Sequence, residues 1–231
     1  MRHYTRFTIT ALTCAAATLF SGCGMNRAGK GGLIGAGSGG VIGGIIGKQS
    51  GNTAAGAIIG AAVGGTAGAA IGHYMDRQAA ELQRDLKNAR VERVGEGIKI
   101  TFNSGILFDV DSDKLRPDAK ANLKNLAEVL NKYDDTEVMV QGHTDNTGAT
   151  GHNLKLSERR AESVSDLLKD DGVKGGRIDE SGMGETHPVA ENSTSDGRQA
   201  NRRVEVAIWA NDKLKSAAKD GTIKTAAAQD D

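Results

Sequence analysis

The second half of the chain alternates between two hydrophobic periods. Apolar and polar residues alternate over residues 98–102, 137–141 and 204–208, which predicts three half-buried strands. Apolar residues recur every three or four positions over residues 119–130 and 161–168, which predicts two helices. Strand and helix patterns that follow each other in this way predict an α/β sandwich with its helices on one face of the sheet.

The first 22 residues have the layout of a secretory signal peptide, a basic start followed by an uncharged apolar stretch and small residues. The apolar stretch is shorter than the roughly 20 residues that a transmembrane helix needs. Residues 19–23, Leu-Phe-Ser-Gly-Cys, resemble a bacterial lipobox, which implies that cleavage leaves Cys23 as an acylated N-terminus. Ordinary cleavage beside an incidental cysteine is the alternative. Gly24, in place of an aspartate, implies sorting to the outer membrane.

Glycine recurs every fourth position in residues 31–72, a segment with no acidic residue and one base, Lys48. This spacing lines glycines along one helical face and lets a second helix approach closely, which predicts a glycine-zipper helical hairpin. A flexible linker is the alternative, although linkers lack periodic Ile and Ala. A hairpin in or on the membrane and a zipper-driven homo-oligomer both remain open. The two series are Gly35, Gly39, Gly43 and Gly47, then Gly56, Gly60, Gly64, Gly68 and Gly72.

Three shorter segments complete the predicted organisation. Residues 23–30 form the lipidated N-terminus. Residues 73–94 are charged, with apolar positions at helical spacing, and predict an amphipathic connector helix or, equally, a core helix of the following domain. Residues 95–210 form the predicted α/β domain. Residues 211–231 are polar and repetitive and predict a largely disordered tail.

Charge and composition argue against nucleic-acid binding. The chain holds 29 basic and 29 acidic residues, and aromatic residues make up 3%. Such a chain offers neither a basic face nor a base-stacking platform. The two cysteines, Cys14 and Cys23, both lie near the N-terminus, so a disulfide framework is not expected in the domain.

Four motifs follow one another in the predicted domain, and together they resemble the OmpA-like peptidoglycan-binding domain over roughly residues 98–209. The resemblance implies a mixed sheet of βαβαββ type. With the lipobox and the zipper, it indicates a glycine-zipper outer-membrane lipoprotein. His152 departs from the family, which often has tyrosine there. The motifs are Leu107-Phe108-Asp109, Gly142-His143-Thr144-Asp145, Asn153-x-x-Leu156-Ser157-x-x-Arg160-Ala161 and Asn201-Arg202-Arg203-Val204-Glu205.

The resemblance implies that the domain binds peptidoglycan through diaminopimelate in the stem peptide. The free end of diaminopimelate carries an ammonium and a carboxylate on one carbon, so its recognition needs an anion and a cation. The family implies Asp145 for the ammonium and Arg160, through two parallel hydrogen bonds, for the carboxylate. Composition and spacing alone favour a structural ion pair between these two residues. Further expected lining residues are Asp109, Thr147, Asn153, Leu156 and Arg203.

Other kinds of function have weaker support. His143, Asp145 and His152 suggest a metal site, but no HExxH motif or cysteine cluster accompanies them. A cell-wall hydrolase would need a nucleophile and a base, and no GxSxG motif is present. We therefore expect a binding protein, not an enzyme, with no cofactor and no metal. A zipper-built membrane assembly that the wall-binding domain positions is the remaining alternative.

Overall fold

The computed structural model describes residues 53–223 of the 231-residue chain. The predicted signal peptide, Cys23, the lipidated N-terminus over residues 23–30 and the first glycine series lie outside the described residues. The final residues, 224–231, lie outside them as well.

A five-stranded mixed sheet forms the centre of the described part of the chain. Its order is β1-β2-β5-β3-β4, in which the pair β3–β4 is parallel and the other pairs are antiparallel. The three predicted strands are β2, β5 and β3, which lie side by side in the middle. The strands are β1 (Ala89–Val94), β2 (Gly97–Asn103), β3 (Thr136–Gly142), β4 (Ile178–Gly182) and β5 (Arg203–Ala210).

Helices cover both faces of this sheet, although unequally. The two predicted helices are α4 and α5, and their apolar stripes join α2 in one large core against β2, β3 and β5. Because side chains alternate along a strand, Ala207 of β5 points to the opposite face, where it contacts Ile58 of α1. The helices are α1 (Thr53–Ala61), α2 (Gly65–Asp85), α3 (Ser104–Leu107), α4 (Pro117–Lys132), α5 (Thr150–Asp170), α6 (Ser195–Asn201) and α7 (Asp212–Lys219).

The predicted connector, residues 73–94, belongs to the domain itself. Met75, Ala79 and Leu82 of α2 are buried in the main core, so the core-helix alternative is the one that the structure supports. The end of the segment, Ala89–Val94, is strand β1 and pairs with β2. The boundary at residue 95 was therefore placed too late.

The predicted disordered tail also begins with an ordered element. Asn211 caps helix α7, because its side-chain oxygen accepts a hydrogen bond from the Leu214 backbone N–H at 2.9 Å. Leu214 and Ala218, four residues apart, are buried and join the main core. The prediction of disorder over residues 211–231 was wrong for this part, since two buried side chains and a cap are enough to order a short helix.

The second glycine series does not follow a single helical face. The chain breaks between α1 and α2, where Gly64 and Gly65 have φ of 71° and 64°. The Glu96 carboxylate caps this break by accepting hydrogen bonds from the Val63 and Gly64 backbone N–H groups at 2.7 Å. A side chain at Gly68 would collide with the same carboxylate, so this glycine makes room for a turn of its own domain.

Helix α1 docks on the same turn. A methyl group at Gly97 would collide with the Ile58 side chain, so the missing side chain admits α1 to the sheet. Among the helices that the structure describes, none combines the length and hydropathy needed to span a membrane.

Candidate ligand-binding site

A cavity of about 690 Å³ opens where the loop after β3 meets the start of α5. The loop that follows α3 and the residue that follows α6 close its other sides. Most of the residues predicted for the site lie together in its lining. These are Asp109, Asp145, Thr147, Asn153, Leu156 and Arg160.

Two glycines bring α5 close to the sheet and so position the helical half of the cavity. A methyl group at Gly142, the last residue of β3, would collide with the Ser157 carbonyl oxygen of α5. At Gly182, the last residue of β4, it would collide with the backbone nitrogen of Glu158. Because both strands lack side chains at these points, α5 packs directly on the strand ends beside the loop that carries Asp145.

Asp145 is a buried carboxylate that stays ionised. It is 5% exposed, and it accepts a hydrogen bond from the Thr147 backbone N–H at 2.8 Å and another from the Arg202 guanidinium. Burial raises the pKa of this carboxyl, but the hydrogen bonds from Thr147 and Arg202 outweigh burial and lower the pKa below its ordinary value. The cavity therefore presents a fixed negative charge at neutral pH.

Asn153 fastens the Asp145 loop to α5. Its amide nitrogen lies 3.3 Å from the backbone oxygen of Asp145 and 3.1 Å from that of Thr147. It also donates to the Glu185 carboxylate at 2.6 Å. Asn153 is buried, so its role in the described state is to hold the loop that carries the anion.

Arg160 brings a positive charge to the same cavity without forming an ion pair among the described residues. It is 4% exposed, and its Nε and Nη2 donate to the backbone oxygens of Ser112 (2.9 Å) and Asp109 (3.5 Å). Its guanidinium carbon lies 5.2 Å from the centre of the Phe108 ring. Burial lowers the pKa of Arg160 from its ordinary value, but an arginine remains charged at neutral pH.

The alternative of a structural ion pair between Asp145 and Arg160 does not hold. The ion-pair partner of Asp145 is Arg202, and Arg160 donates to backbone oxygens. The two residues that the sequence singled out therefore keep opposite charges in one cavity without neutralising each other.

Arg203, which was expected in the pocket, lies elsewhere. Its buried guanidinium donates to the Glu205 carboxylate at 2.7 Å and to the His187 backbone oxygen at 3.2 Å. Its neighbour Arg202 lines the cavity instead. The physical reason is strand geometry: Arg203 is the first residue of β5, where successive side chains point in opposite directions.

Sequence reasoning missed several residues of the cavity, and three of them, Arg202, Phe108 and Asp111, contact its charged groups. Arg202 and Phe108 stood inside the quoted motifs, which were the signal that could have identified them. The third, Asp111, meets His152 at the rim, where the His152 Nε2 and an Asp111 carboxylate oxygen are 2.7 Å apart.

The histidines of the suggested metal site lie apart. His143 is buried beside His187, with the two ring centres 6.5 Å apart, whereas His152 stands at the rim. Over residues 53–223 no three potential metal ligands cluster together.

Comparison with known proteins gives two family matches and several relatives. Residues 107–202 match the OmpA family, and residues 1–76 match the YMGG-like Gly-zipper. The probable lipoprotein YiaD of Escherichia coli (strain K12) is 38% identical over 214 residues, which cover 88% of this chain and 97% of the relative. The outer-membrane lipoprotein YfiB of Pseudomonas aeruginosa is 39% identical over 130 residues, which cover 56% of this chain and 77% of the relative.

A solved structure shares the fold. It is described as the cell wall anchor of the T6SS from Pseudomonas aeruginosa, and it matches with a TM-score of 0.52 at 32% identity, over 59% of this chain and 97% of its own. Larger relatives are matched only in part, since the chain spans about a third of the outer membrane porins F. The chain belongs to the OmpA family. It is an outer-membrane lipoprotein with a glycine-zipper segment, and its OmpA domain lies in the periplasm.

Proposed function

We propose that this protein binds peptidoglycan non-covalently through the diaminopimelate of the stem peptide and so tethers the outer membrane to the cell wall. The observation that carries the proposal is the pair of charges in one cavity. Asp145 and Arg160 line it together, and neither neutralises the other. An ammonium and a carboxylate on one carbon are the complement of such a pair.

Asp145 retains capacity for an ammonium. An ionised carboxylate offers about four lone-pair sites. The Thr147 backbone N–H and the Arg202 guanidinium supply one hydrogen bond to each of its two oxygens. An incoming ammonium can therefore share the carboxylate with Arg202 without displacing it.

Arg160 retains capacity for a carboxylate. Its guanidinium has five N–H donors, of which the described contacts to Ser112 and Asp109 use two. The others suffice for the two-pronged contact that arginine makes with a carboxylate. The loop carbonyls hold the guanidinium in place, so binding costs little further ordering of this side chain.

The comparisons support peptidoglycan as the partner and a binding role. The matched solved structure is named as a cell wall anchor, and the two relatives are named as lipoproteins. Glycine-zipper assembly remains the alternative role for residues 31–72. Within the described residues, Gly68 and Gly97 accommodate contacts between α1, α2 and the domain, which favours the tether.

The other end of the tether is the proposed lipid on Cys23. Several acyl chains give stable membrane anchoring, whereas one gives only marginal binding. Mass spectrometry of the mature N-terminus tests this part. The proposal expects residue 23 to be first and acylated, and an unmodified Cys23 would contradict it.

Sedimentation of the full mature chain with purified peptidoglycan tests the wall-binding part. Asp145→Ala and Arg160→Ala should each reduce the bound fraction, because each removes charged hydrogen bonds that contribute about 1.5–3 kcal/mol. The expected loss in affinity is roughly tenfold or more for each variant. Asp118→Ala and Arg84→Ala, which remove exposed charges outside the cavity, serve as matched controls. Unchanged sedimentation of a folded Asp145→Ala protein would show that the site is wrongly assigned.

A further inference from the structure

The loop of residues 109–113 sets the direction of the Arg160 guanidinium. Two backbone oxygens of this loop, those of Ser112 and Asp109, accept the described hydrogen bonds of Arg160. A shift of the loop would therefore turn the guanidinium relative to Asp145. The geometry of the cavity depends on how firmly this loop is held.

Apolar packing contributes little to the position of this loop. Asp111 has a φ of 54°, a left-handed conformation that is uncommon outside glycine, although aspartate adopts it more often than most residues do. Val110 at the tip is 98% exposed, so apolar burial does not hold this part of the loop. The Ser112 backbone N–H donates to the Asp109 oxygen at 3.2 Å and the Lys114 N–H to the Ser112 hydroxyl at 3.1 Å, and contacts from outside the loop add to these two local bonds.

Two charged contacts fasten the loop to α5, the helix that carries Arg160. Arg159 Nε lies 2.5 Å from an Asp113 carboxylate oxygen, and His152 Nε2 lies 2.7 Å from an Asp111 carboxylate oxygen. Arg159 is charged at every physiological pH, whereas histidine changes charge between about pH 5 and 8. One of the two fastenings is therefore sensitive to pH.

We propose that His152 is a positioning residue for the wall-binding site, which in its protonated form holds Asp111 and thereby aims Arg160 at the ligand carboxylate. This inference rests on the proposed function. The affinity for diaminopimelate then rises as the pH falls through the range in which histidine gains a proton. The neutral ring can still make a hydrogen bond to Asp111, so the affinity falls at higher pH but binding is not lost.

The surrounding charges make His152 the partner on which Asp111 depends. In the described part of the chain Asp109 pairs with Arg116, Asp113 with Arg159 and Asp145 with Arg202, while the ion-pair partner of Asp111 is His152. Loss of the histidine charge therefore leaves Asp111 without an ion-pair partner among the described residues, and Arg160, whose positive charge Asp111 stabilises, is a cation that remains near it. The titratable and charged groups around His152 are Asp109, Asp111 and Asp113 in the loop, Asp145 and Arg202 across the cavity, Glu185 near the start of α5, and Lys155, Arg159 and Arg160 on α5 itself.

The test measures the affinity of the full mature chain for a diaminopimelate-containing stem peptide between pH 8 and pH 5.5. An exposed ion pair is weak, so the wild-type protein should bind roughly two- to fivefold more tightly at the lower pH. His152→Gln and Asp111→Asn should abolish this dependence. His187→Gln, the matched control for a histidine outside the cavity, should keep the pH dependence. Arg159→Gln should weaken binding at every pH and should also keep the pH dependence.

A second readout follows the guanidinium itself. The NMR signal of the Arg160 Nε–H, which reports the bond to Ser112, should shift with pH in the wild-type protein and stay fixed in His152→Gln. Circular dichroism at each pH verifies that the variants remain folded. Equal wild-type affinity at both pH values, or a full pH dependence in His152→Gln, overturns the role of His152 and leaves the proposed function intact. Absence of binding at every pH overturns both.

Discussion

Two buried arginines near opposite ends of strand β3 differ in how many of their hydrogen-bond donors the fold uses. Arg177, near the start of the strand, donates to the backbone oxygens of Thr136, Leu130 and Tyr133 at 2.6, 3.0 and 3.1 Å, and to the Thr136 hydroxyl at 2.8 Å. Arg160, near the end of the strand, makes two contacts to a loop. Among the described residues neither arginine forms an ion pair, and burial is the main cause that lowers the pKa of both.

Burial and pKa therefore do not separate Arg177, whose described contacts all lie within the fold, from Arg160, the arginine that we propose binds the ligand. The two arginines differ in the number of N–H donors that their described hydrogen bonds leave unused. Arg177 uses its guanidinium to fix the end of α4 and the start of β3, whereas Arg160 holds donors in reserve beside a cavity. Asp145 resembles Arg160 in this respect. Its carboxylate accepts a hydrogen bond from Arg202 and still has lone pairs that a ligand can use.

The largest effect is expected from Arg177→Ala. It removes the Arg177 hydrogen bonds to three buried backbone oxygens, of which that of Tyr133 keeps a hydrogen bond from the Thr136 hydroxyl. At a cost of about 1 kcal/mol or more for each lost bond, the free energy of unfolding should fall by roughly 3 kcal/mol or more. Urea unfolding of this variant and of Arg160→Ala provides the measurement. If the Arg160→Ala protein loses as much stability as Arg177→Ala, the contrast between the two arginines is wrong.

A smaller effect is expected at the junction of β3 and α5. Gly142→Ala forces a methyl group against the Ser157 carbonyl oxygen, so we expect a loss of about 1–3 kcal/mol in unfolding free energy. Peptide binding should also weaken, because α5 carries Asn153 and Arg160. Gly151→Ala, in an open position of the same helix, is the control and should change neither quantity for the worse. A Gly142→Ala protein of wild-type stability and affinity would show that the close approach does not position the site.

The smallest effect concerns pH and the end of β3 where the site lies. His143 is buried, and burial first, then the charge of Arg203 and the neighbouring His187, hold its pKa well below 6.5. The unfolded chain binds a proton here below about pH 6.5 and the folded chain does not, so stability is full above that pH and falls as the pH decreases. The slope should reach about 1.4 kcal/mol per pH unit. Urea unfolding at pH 7.5 and pH 5.5 tests it, and His143→Asn should flatten the slope; an equal slope in this variant would assign it to other groups.

The sequence predicted the elements whose hydrophobic period is complete. Strands β2, β3 and β5 alternate cleanly, and α4 and α5 carry long apolar stripes. Strand β1 escaped prediction because Arg90, Glu92 and Arg93 obscure its alternation, and β4 has one strongly apolar residue, Ile178. The role of helix α2 could not be predicted, because an apolar stripe such as Met75, Ala79 and Leu82 is expected both on an amphipathic connector helix and on a core helix.

The candidate site was predictable as far as its motifs reach. Asp145 and Arg160 came from motif positions, and the structure brings them to one cavity. The choice between Arg202 and Arg203 could not be made from adjacent identical residues, since it depends on where α6 ends and β5 begins. The pairing of Asp145 with Arg202 depends on a contact across 57 positions, which no local pattern reports.

The most direct test of the central claim is calorimetric titration of the full mature chain with a stem peptide that ends in diaminopimelate, beside the same peptide with that end carboxylate amidated. We predict that amidation weakens binding roughly tenfold or more, because it removes the group that Arg160 holds. Arg160→Lys should bind both peptides with the same low affinity, since an ammonium cannot reproduce the two-pronged contact. Equal affinity of the wild-type protein for the free and the amidated peptide would contradict the assignment of Arg160 and Asp145 as the residues that bind diaminopimelate.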